Sequence, residues 1–282
     1  MILVTGATGT VGSEVVEQLL AAGHPVRVLT RHPEKAAKYA SHVEIAQGDL
    51  ANPESLTAAF AGVDKAFLLA TGPELAKLEG HAIEAAKKAG VKHLVKLSAA
   101  GAELDPGIAI GRWHRESEKH LEESGMAWTI LRPGAFDSNA LAWAAAIKDK
   151  GMVFHVMGNG KGTPIDPRDI AAVAVAALTT PGHEGKIYEL TGPEALTTAE
   201  MVAKISKVLG KPIQAIDAPE AAARSGMLAQ GMPHPMVEAI LELMALVRAG
   251  YRDKPTPVVE EVLGRPARTF DAWLQDHVTA FR

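Results

Sequence analysis

Short apolar runs alternate with amphipathic segments along the first half of the chain. The first run, Ile2–Val4, is followed by apolar residues at helical spacing between Val15 and Leu20. Such runs are typical of buried strands, whereas apolar positions at helical spacing are typical of amphipathic helices. The pattern predicts further strands at Val26–Leu29, Val43–Ile45, Lys65–Leu69, His93–Leu97 and Trp128–Leu131, and helices at Pro33–Tyr39, Pro53–Phe60, Glu74–Ala89 and Ile110–Glu123. Strands that alternate with helices predict right-handed crossovers and a doubly wound parallel sheet.

The alternation ends after Gly134. A helix at Ile170–Leu178 and a strand at Lys186–Leu190 are predicted to return to the main sheet, whereas Leu141–Lys148 and the chain after Thr197 are mainly helical. The predicted fold class is therefore α/β, a Rossmann-type doubly wound sheet with a smaller, mainly helical C-terminal lobe. The Rossmann domain is expected at residues 1–134, completed by about 163–192, and the lobe at residues 135–162 and 193–282.

Three glycines spaced three apart connect the first strand to the first helix. The segment reads Gly6-Ala7-Thr8-Gly9-Thr10-Val11-Gly12. Glycines at this spacing let the backbone approach a pyrophosphate, whose charge lies at the positive end of the following helix. A plain strand–helix turn is the alternative, but the required strand before and helix after are both present. We predict a dinucleotide site with contacts from Gly6, Thr8, Gly9, Thr10, Val11 and Gly12.

The end of the second strand predicts which dinucleotide binds. An acidic residue at this place favours NAD, because it hydrogen-bonds the ribose 2′-hydroxyl. This chain has Arg31 there, with Lys35 nearby, and a guanidinium binds a 2′-phosphate well. We therefore predict NADP(H) in preference to NAD(H), the alternative being an ordinary surface arginine. Asp49 is placed either to contact the adenine or to cap a turn. Leu50, Ala70 and Thr71 complete the predicted cofactor contacts.

Composition limits the remaining possibilities. The chain has 282 residues, 47% hydrophobic and 22% charged, with a formal net charge of -4 and no cysteine. Thiolate catalysis and disulfides are thereby excluded, and the charge gives no reason to expect nucleic acid or an anionic membrane as partner. The longest apolar run, Ile170–Leu178, is far shorter than the ~20 residues of a membrane helix. No histidine spacing suggests a metal site. We expect a cytoplasmic protein, a monomer or homodimer, with a first strand too close to the start for a targeting segment.

A basic stretch lies where one helix ends and the next strand begins. It comprises Lys87, Lys88, Lys92, His93 and Lys96. Positive residues at the end of a helix complement its dipole, and charge runs usually form a solvated face. We therefore predict that this stretch is exposed.

The chain resembles the NmrA-like group of the atypical short-chain dehydrogenase superfamily, and within it the quinone oxidoreductases and triphenylmethane reductases. The resemblance rests on Gly6–Gly12, Thr30-Arg31, Gly48-Asp49-Leu50, His114–Lys119, Ser124-Gly125 and Thr129–Pro133. It implies an NADP-binding Rossmann domain, a smaller C-terminal lobe and a substrate cleft between them. It also implies an oxidoreductase that acts on a small aromatic or conjugated molecule.

One departure from the superfamily pattern affects the expected chemistry. The tyrosine and lysine of its Tyr-x-x-x-Lys pair are replaced by Ile110 and His114. Reduction of an isolated ketone needs a positioned acid, whereas a quinone or a conjugated dye delocalises the incoming electrons. We predict hydride transfer to a conjugated electrophile, with a non-catalytic NADP(H)-binding redox sensor of the NmrA type as the alternative.

The candidate catalytic residues are His114 and Ser98. Isoflavone-type reductases, which the chain also resembles, carry a catalytic lysine at the position of His114. An imidazole with an ordinary pKa of about 6.5 is suited to donate a proton or a hydrogen bond at neutral pH. Ser98 stands where the superfamily carries its serine. The alternatives are a histidine without chemistry and a turn serine. Trp113, Phe136 and Trp143 either line an aromatic substrate pocket or pack in the core.

Overall fold

The protein is described by a computed structural model that covers residues 1–105 and 107–282, and those residues contain nine strands. The strands are β1 (Ile2–Val4), β2 (Val26–Thr30), β3 (Glu44–Gln47), β4 (Lys65–Leu68), β5 (His93–Leu97), β6 (Ala127–Pro133), β7 (Met152–His155), β8 (Lys186–Leu190) and β9 (Gln214–Asp217). Seven of them form one sheet in the order β3-β2-β1-β4-β5-β6-β8, and the pairings from β3 to β6 are parallel. The strand order reverses between β1 and β4, the place where open α/β sheets bind ligands. The predicted Rossmann fold is confirmed.

The helices follow the predicted alternation. They are α1 (Thr10–Ala21), α2 (Leu56–Phe60), α3 (Leu75–Ala89), α4 (Ala109–Glu122), α5 (Ala144–Lys150), α6 (Pro167–Thr179), α7 (Thr198–Leu209), α8 (Glu220–Ala229), α9 (His234–Arg248), α10 (Val258–Leu263) and α11 (Phe270–His277). Short 3₁₀ helices occupy Pro33–Tyr39, Pro53–Ser55, Asp137–Trp143 and Val278–Phe281. In the described residues no helix is both long and apolar enough to cross a bilayer.

The chain divides into two compact units. The first consists of Met1–Gly107, Gly111–Pro133 and Pro167–Glu189, and the second of Ile108–Ile110, Gly134–Asp166 and Leu190–Arg282. The first unit contains most of the main sheet, and its core includes Leu3, Phe60 and Leu94. The second unit has its own core around Trp273, which stacks on Phe270 at a ring-centroid distance of 5.5 Å.

The strand β5 is buried along its whole length, including its polar residues. Lys96 is 0% exposed and His93 is 3% exposed. The prediction of an exposed basic stretch is wrong for these two residues, although Lys87, Lys88 and Lys92 are exposed. The physical reason is that a central strand of a doubly wound sheet is covered on both faces, so no side chain along it points to solvent.

The second unit contains a small sheet that the sequence did not predict. β7 and β9 pair in parallel with Met152 opposite Gln214. Each strand has four residues, and Val153 is buried while Phe154 is exposed. Strands this short carry too few alternating positions to be distinguished from the helices around them. Apart from this sheet, the second unit is helical as expected.

Candidate functional site

A pocket of about 410 Å³ lies at the carboxyl ends of β1, β2 and β4. The following predicted cofactor residues line it: Gly6, Thr8, Gly9, Arg31, Asp49, Leu50, Ala70 and Thr71. Thr10, Val11 and Gly12 form the first turn of α1, directly behind the lining glycines. Lys35 lies on the 3₁₀ helix that follows Arg31. All of these residues belong to the first unit.

The glycine loop is shaped to hold an anion. Gly6 has a φ of +62°, a left-handed conformation that favours glycine, and its carbonyl accepts the Gly9 N–H at 2.9 Å. A Cβ at Gly12 would lie 2.2 Å from that carbonyl oxygen, so α1 approaches the loop only because residue 12 lacks a side chain. No side chain caps α1, whose N-cap is Gly9. Its first N–H groups are left for an anionic ligand, as a pyrophosphate requires.

The opposite wall of the pocket is tied to the sheet. Thr5 accepts the Leu69 N–H at 2.7 Å and donates to the Leu69 carbonyl at 3.1 Å, which joins the ends of β1 and β4. The next N–H, of Ala70, donates to the Glu79 carboxylate at 2.9 Å. Glu79 lies on α3 and is 0% exposed. A buried side chain therefore fixes the backbone of the pocket wall.

The side of the pocket at the end of β2 carries unpaired positive charge. Within the described part of the chain, Arg31 and Lys35 form no ion pair, and both are exposed. Asp49 lines the pocket, but its Oδ1 also accepts the Ala51 N–H at 2.9 Å, so it closes a turn as well. The exposed Arg31 guanidinium, which lines the pocket, suits a 2′-phosphate.

A buried polar cluster lies behind the pocket wall. Lys96 donates to Glu79 at 2.5 Å, and both side chains are 0% exposed. Ser117, on α4, also donates to Glu79. The Lys96 ammonium lies 3.5 Å from Nδ1 of His114, which is also on α4. The Glu79 carboxylate thus accepts hydrogen bonds from three elements, and Lys96 connects it to His114.

A second buried cluster lies one turn further along α4. Arg132 binds the Glu118 carboxylate through two nitrogens, at 2.9 and 2.6 Å, and the Ser98 hydroxyl donates to it at 2.6 Å. Burial by itself would raise the pKa of Glu118, but the hydrogen bonds from Arg132 and Ser98 outweigh it and lower that pKa. The Ser98 proton is committed to this carboxylate. The catalytic role predicted for Ser98 stays a prediction, and its observed contact is with Glu118.

The environment of His114 changes the expected proton chemistry. Burial, and then the neighbouring Lys96 charge, lower the pKa of His114 well below its ordinary value of 6.5. This lowered pKa opposes release of a proton by His114 at neutral pH, and a catalytic role for His114 stays a prediction. A neutral imidazole still donates a hydrogen bond.

The match to known proteins agrees with this geometry. Residues 6–181 match the NAD(P)H-binding family. The chain belongs to that family. It is 44% identical to an NAD(P)H azoreductase of Xenophilus azovorans, over 100% of this chain and 99% of the relative. It is 45% identical to (4-alkanoyl-5-oxo-2,5-dihydrofuran-3-yl)methyl phosphate reductase of Streptomyces griseus, over 100% of this chain and 99% of that relative.

A solved structure extends the comparison to a cofactor complex. The NADPH-dependent quinone oxidoreductase QOR2 of Escherichia coli, complexed with NADPH, superposes with a TM-score of 0.88. It is 30% identical, and the alignment covers 99% of each chain. The predicted resemblance to quinone oxidoreductases and the prediction of an NAD(P)H cofactor are confirmed.

The predicted aromatic residues lie in different parts of this NAD(P)H-binding protein. Trp113 is half-buried on α4, in the first unit. Phe136 forms a bridge with Ile165 in the second unit, and Trp143 packs against the core of that unit. Trp143 thus makes a packing contact, and whether it also contacts a substrate stays a prediction. A substrate pocket formed by the three aromatics stays a prediction.

The sequence did not predict the residues that surround His114. Glu79, Lys96 and Ser117 received no functional assignment, and neither did the Glu118–Arg132 pair. The sequence does indicate that Lys96 is buried, because a lysine inside an apolar strand lies in a sheet that is covered on both faces. The sequence does not indicate burial of its partners Glu79 and Ser117, since both lie on amphipathic helices, where polar residues are common.

The Gly12→Ala variant tests the glycine loop as the pyrophosphate site. We expect its Kd for NADPH to rise at least about tenfold, because the new methyl would displace the Gly6 carbonyl. Titration of reduced-nicotinamide fluorescence measures the Kd. Gly226→Ala on α8 is the matched control, since nothing lies within 4 Å of its added Cβ. Wild-type affinity in Gly12→Ala would exclude the loop from cofactor binding.

The Arg31→Ala variant tests the cofactor preference. Loss of a charge-assisted hydrogen bond to the 2′-phosphate is expected to weaken NADPH about 10- to 100-fold while NADH changes little. Lys38→Ala serves as control, because that cation is already paired with Glu17 at 2.9 Å. The measurement is a pair of titrations, one with each reduced cofactor. Equal losses for NADPH and NADH would contradict a 2′-phosphate contact.

Proposed function

We propose that this NAD(P)H oxidoreductase transfers hydride to a conjugated small-molecule electrophile such as a quinone, an azo compound or an unsaturated cyclic carbonyl. The observation that carries the proposal is the buried His114 beside the Lys96 ammonium, on a helix that has Ile110 where the superfamily has its tyrosine. Such a site lacks a strong acid for the alkoxide that forms from an isolated ketone. A conjugated acceptor spreads the incoming charge and needs only orientation and a hydrogen bond.

The relatives support this substrate class. The azoreductase is named for an azo group, the Streptomyces enzyme for an oxo-dihydrofuran ring, and the Escherichia coli enzyme for quinones. Each of these groups is a conjugated π-system that accepts two electrons and becomes an anion before it is protonated. The same active-site requirement therefore applies to all three, although their shapes differ.

Different residues of the pocket bind different parts of the cofactor. The first turn of α1 and the glycine loop bind the pyrophosphate, and Arg31 with Lys35 binds the 2′-phosphate of NADPH, the preferred cofactor. Glu79 holds the Ala70 N–H and with it the pocket wall. When bound, the reduced nicotinamide supplies the hydride.

His114 acts as a hydrogen-bond donor in this proposal. Its Nε2–H faces the substrate atom on which negative charge develops, and a fixed donor stabilises that charge more than water does. The proton that completes the reduction comes from water, because a neutral imidazole does not release one at neutral pH. Trp113 is proposed to contact the aromatic part of the substrate. The protein is proposed to be cytoplasmic, as a monomer or homodimer.

The reaction is tested by following NADPH absorbance against a panel of quinones, azo dyes, triphenylmethane dyes and simple ketones. We expect turnover of conjugated acceptors and none of isolated ketones, and slower turnover by Gly12→Ala when NADPH is limiting. If the protein reduces no acceptor of the panel but binds NADPH and NADP⁺ with different affinities, the proposed enzymatic activity is contradicted and a redox sensor is favoured.

In the same assay, His114→Ala tests the donor. Removing one hydrogen bond to developing charge is expected to lower kcat about 10- to 100-fold with little change in the Kd for NADPH. His120→Ala is the control, since His120 is an exposed histidine on the same helix. An unchanged kcat in His114→Ala would remove His114 from the proposal.

A further inference from the structure

We propose that Glu79 and Lys96 are positioning residues that hold His114 as the neutral tautomer with its proton on Nε2. The inference rests on the proposed function in one respect: that function supplies the substrate to which the Nε2–H donates. It assigns a further task to a buried ion pair whose carboxylate also holds the pocket wall through the Ala70 N–H.

The contacts of Lys96 account for all three of its ammonium protons. Nζ lies 2.5 Å from the Glu79 carboxylate, 3.4 Å from the Leu97 carbonyl and 3.5 Å from Nδ1 of His114. A lysine ammonium donates and does not accept. Nδ1 of His114 is therefore the acceptor, and in a neutral imidazole the ring proton must then be on Nε2.

Glu79 fixes Lys96 in this arrangement. Its carboxylate accepts from Lys96, from the Ser117 hydroxyl and from the Ala70 N–H. Ser117 lies on α4, the helix of His114, and Ala70 lines the dinucleotide pocket. The Glu79 carboxylate thus contacts the pocket wall, Lys96 on β5, and α4, the helix that carries His114.

His114 is left with one free donor. Among the described residues, its one hydrogen-bond partner is Lys96, at Nδ1. Burial and the adjacent positive charge both oppose a second ring proton. The imidazole is therefore a single-proton donor, because the contact on one ring nitrogen determines that the proton is on the other.

The variant that tests this must keep the protein folded. Replacing Lys96 alone would leave a buried carboxylate without its partner, which typically destabilises a protein by several kcal/mol. Replacing both charged residues by uncharged residues of similar volume often changes the stability little. We therefore choose Lys96→Met combined with Glu79→Gln. The matched control is Lys88→Met with Glu84→Gln, the same two substitutions at exposed residues of α3.

The readout is the ¹⁵N NMR spectrum of histidine-labelled protein at neutral pH, in which the two ring nitrogens of each neutral tautomer have distinct shifts. The chain has 11 histidines, so the His114 signals are assigned by their loss in His114→Gln. We expect wild type and the control pair to show His114 as the Nε2–H tautomer. In Lys96→Met/Glu79→Gln we expect a mixture of tautomers and a pKa of His114 that moves up towards its ordinary value.

The outcomes separate this inference from the proposed function. A His114 that carries its proton on Nδ1 in wild type, or a spectrum unchanged in the double variant, would overturn the inference whatever the enzyme reduces. If the tautomer shifts as expected, kcat with a quinone at saturating NADPH is expected to fall about tenfold. Failure of the acceptor panel would overturn the proposed function and leave the NMR result intact.

Discussion

The buried Lys96–Glu79 ion pair is the interaction on which the organisation of the first unit's polar interior depends. Two opposite charges with 0% exposure are costly to bury, and they persist only if hydrogen bonds satisfy what the ion pair does not. Here the remaining partners are supplied by the pocket wall, by α4 and by His114. Sequence-distant parts of the first unit are thereby held in one arrangement, and a change to either charge is transmitted to all of them.

This constraint also explains why an enzyme of this fold can lack the tyrosine of its superfamily. A lysine in the covered strand β5 supplies positive charge beside the imidazole without contacting solvent. Burial, and then that charge, lower the pKa of the imidazole, and in the proposed function His114 accordingly supplies a hydrogen bond and not a proton. Acceptors that delocalise charge are compatible with such a site, whereas isolated ketones are not. The second cluster, around Glu118 and Arg132, stabilises the same helix from its next turn.

The sequence predicted the features that follow from local patterns. The glycine loop, the strand alternation and the return of Lys186–Leu190 to the sheet all depend on short-range periodicity and turn chemistry, and they were correct. The sequence could not predict that Lys96, Glu79 and Ser117 meet, because their contacts join a strand and two helices that are separate in the chain. The short strands β7 and β9 were missed for a similar reason, since their pairing partners are 62 residues apart, as Met152 and Gln214 show.

The central claim is that a neutral His114 donates a hydrogen bond to a conjugated acceptor. Its most direct test is the pH dependence of kcat for a quinone, measured between about pH 5.5 and pH 8 in wild type and His114→Gln. Because burial and the neighbouring Lys96 charge lower the pKa of His114 well below 6.5, we predict that the two profiles are parallel, with the variant lower throughout. A wild-type profile that falls through a midpoint near 6.5, and loses that midpoint in His114→Gln, would show a titrating proton donor and contradict the account.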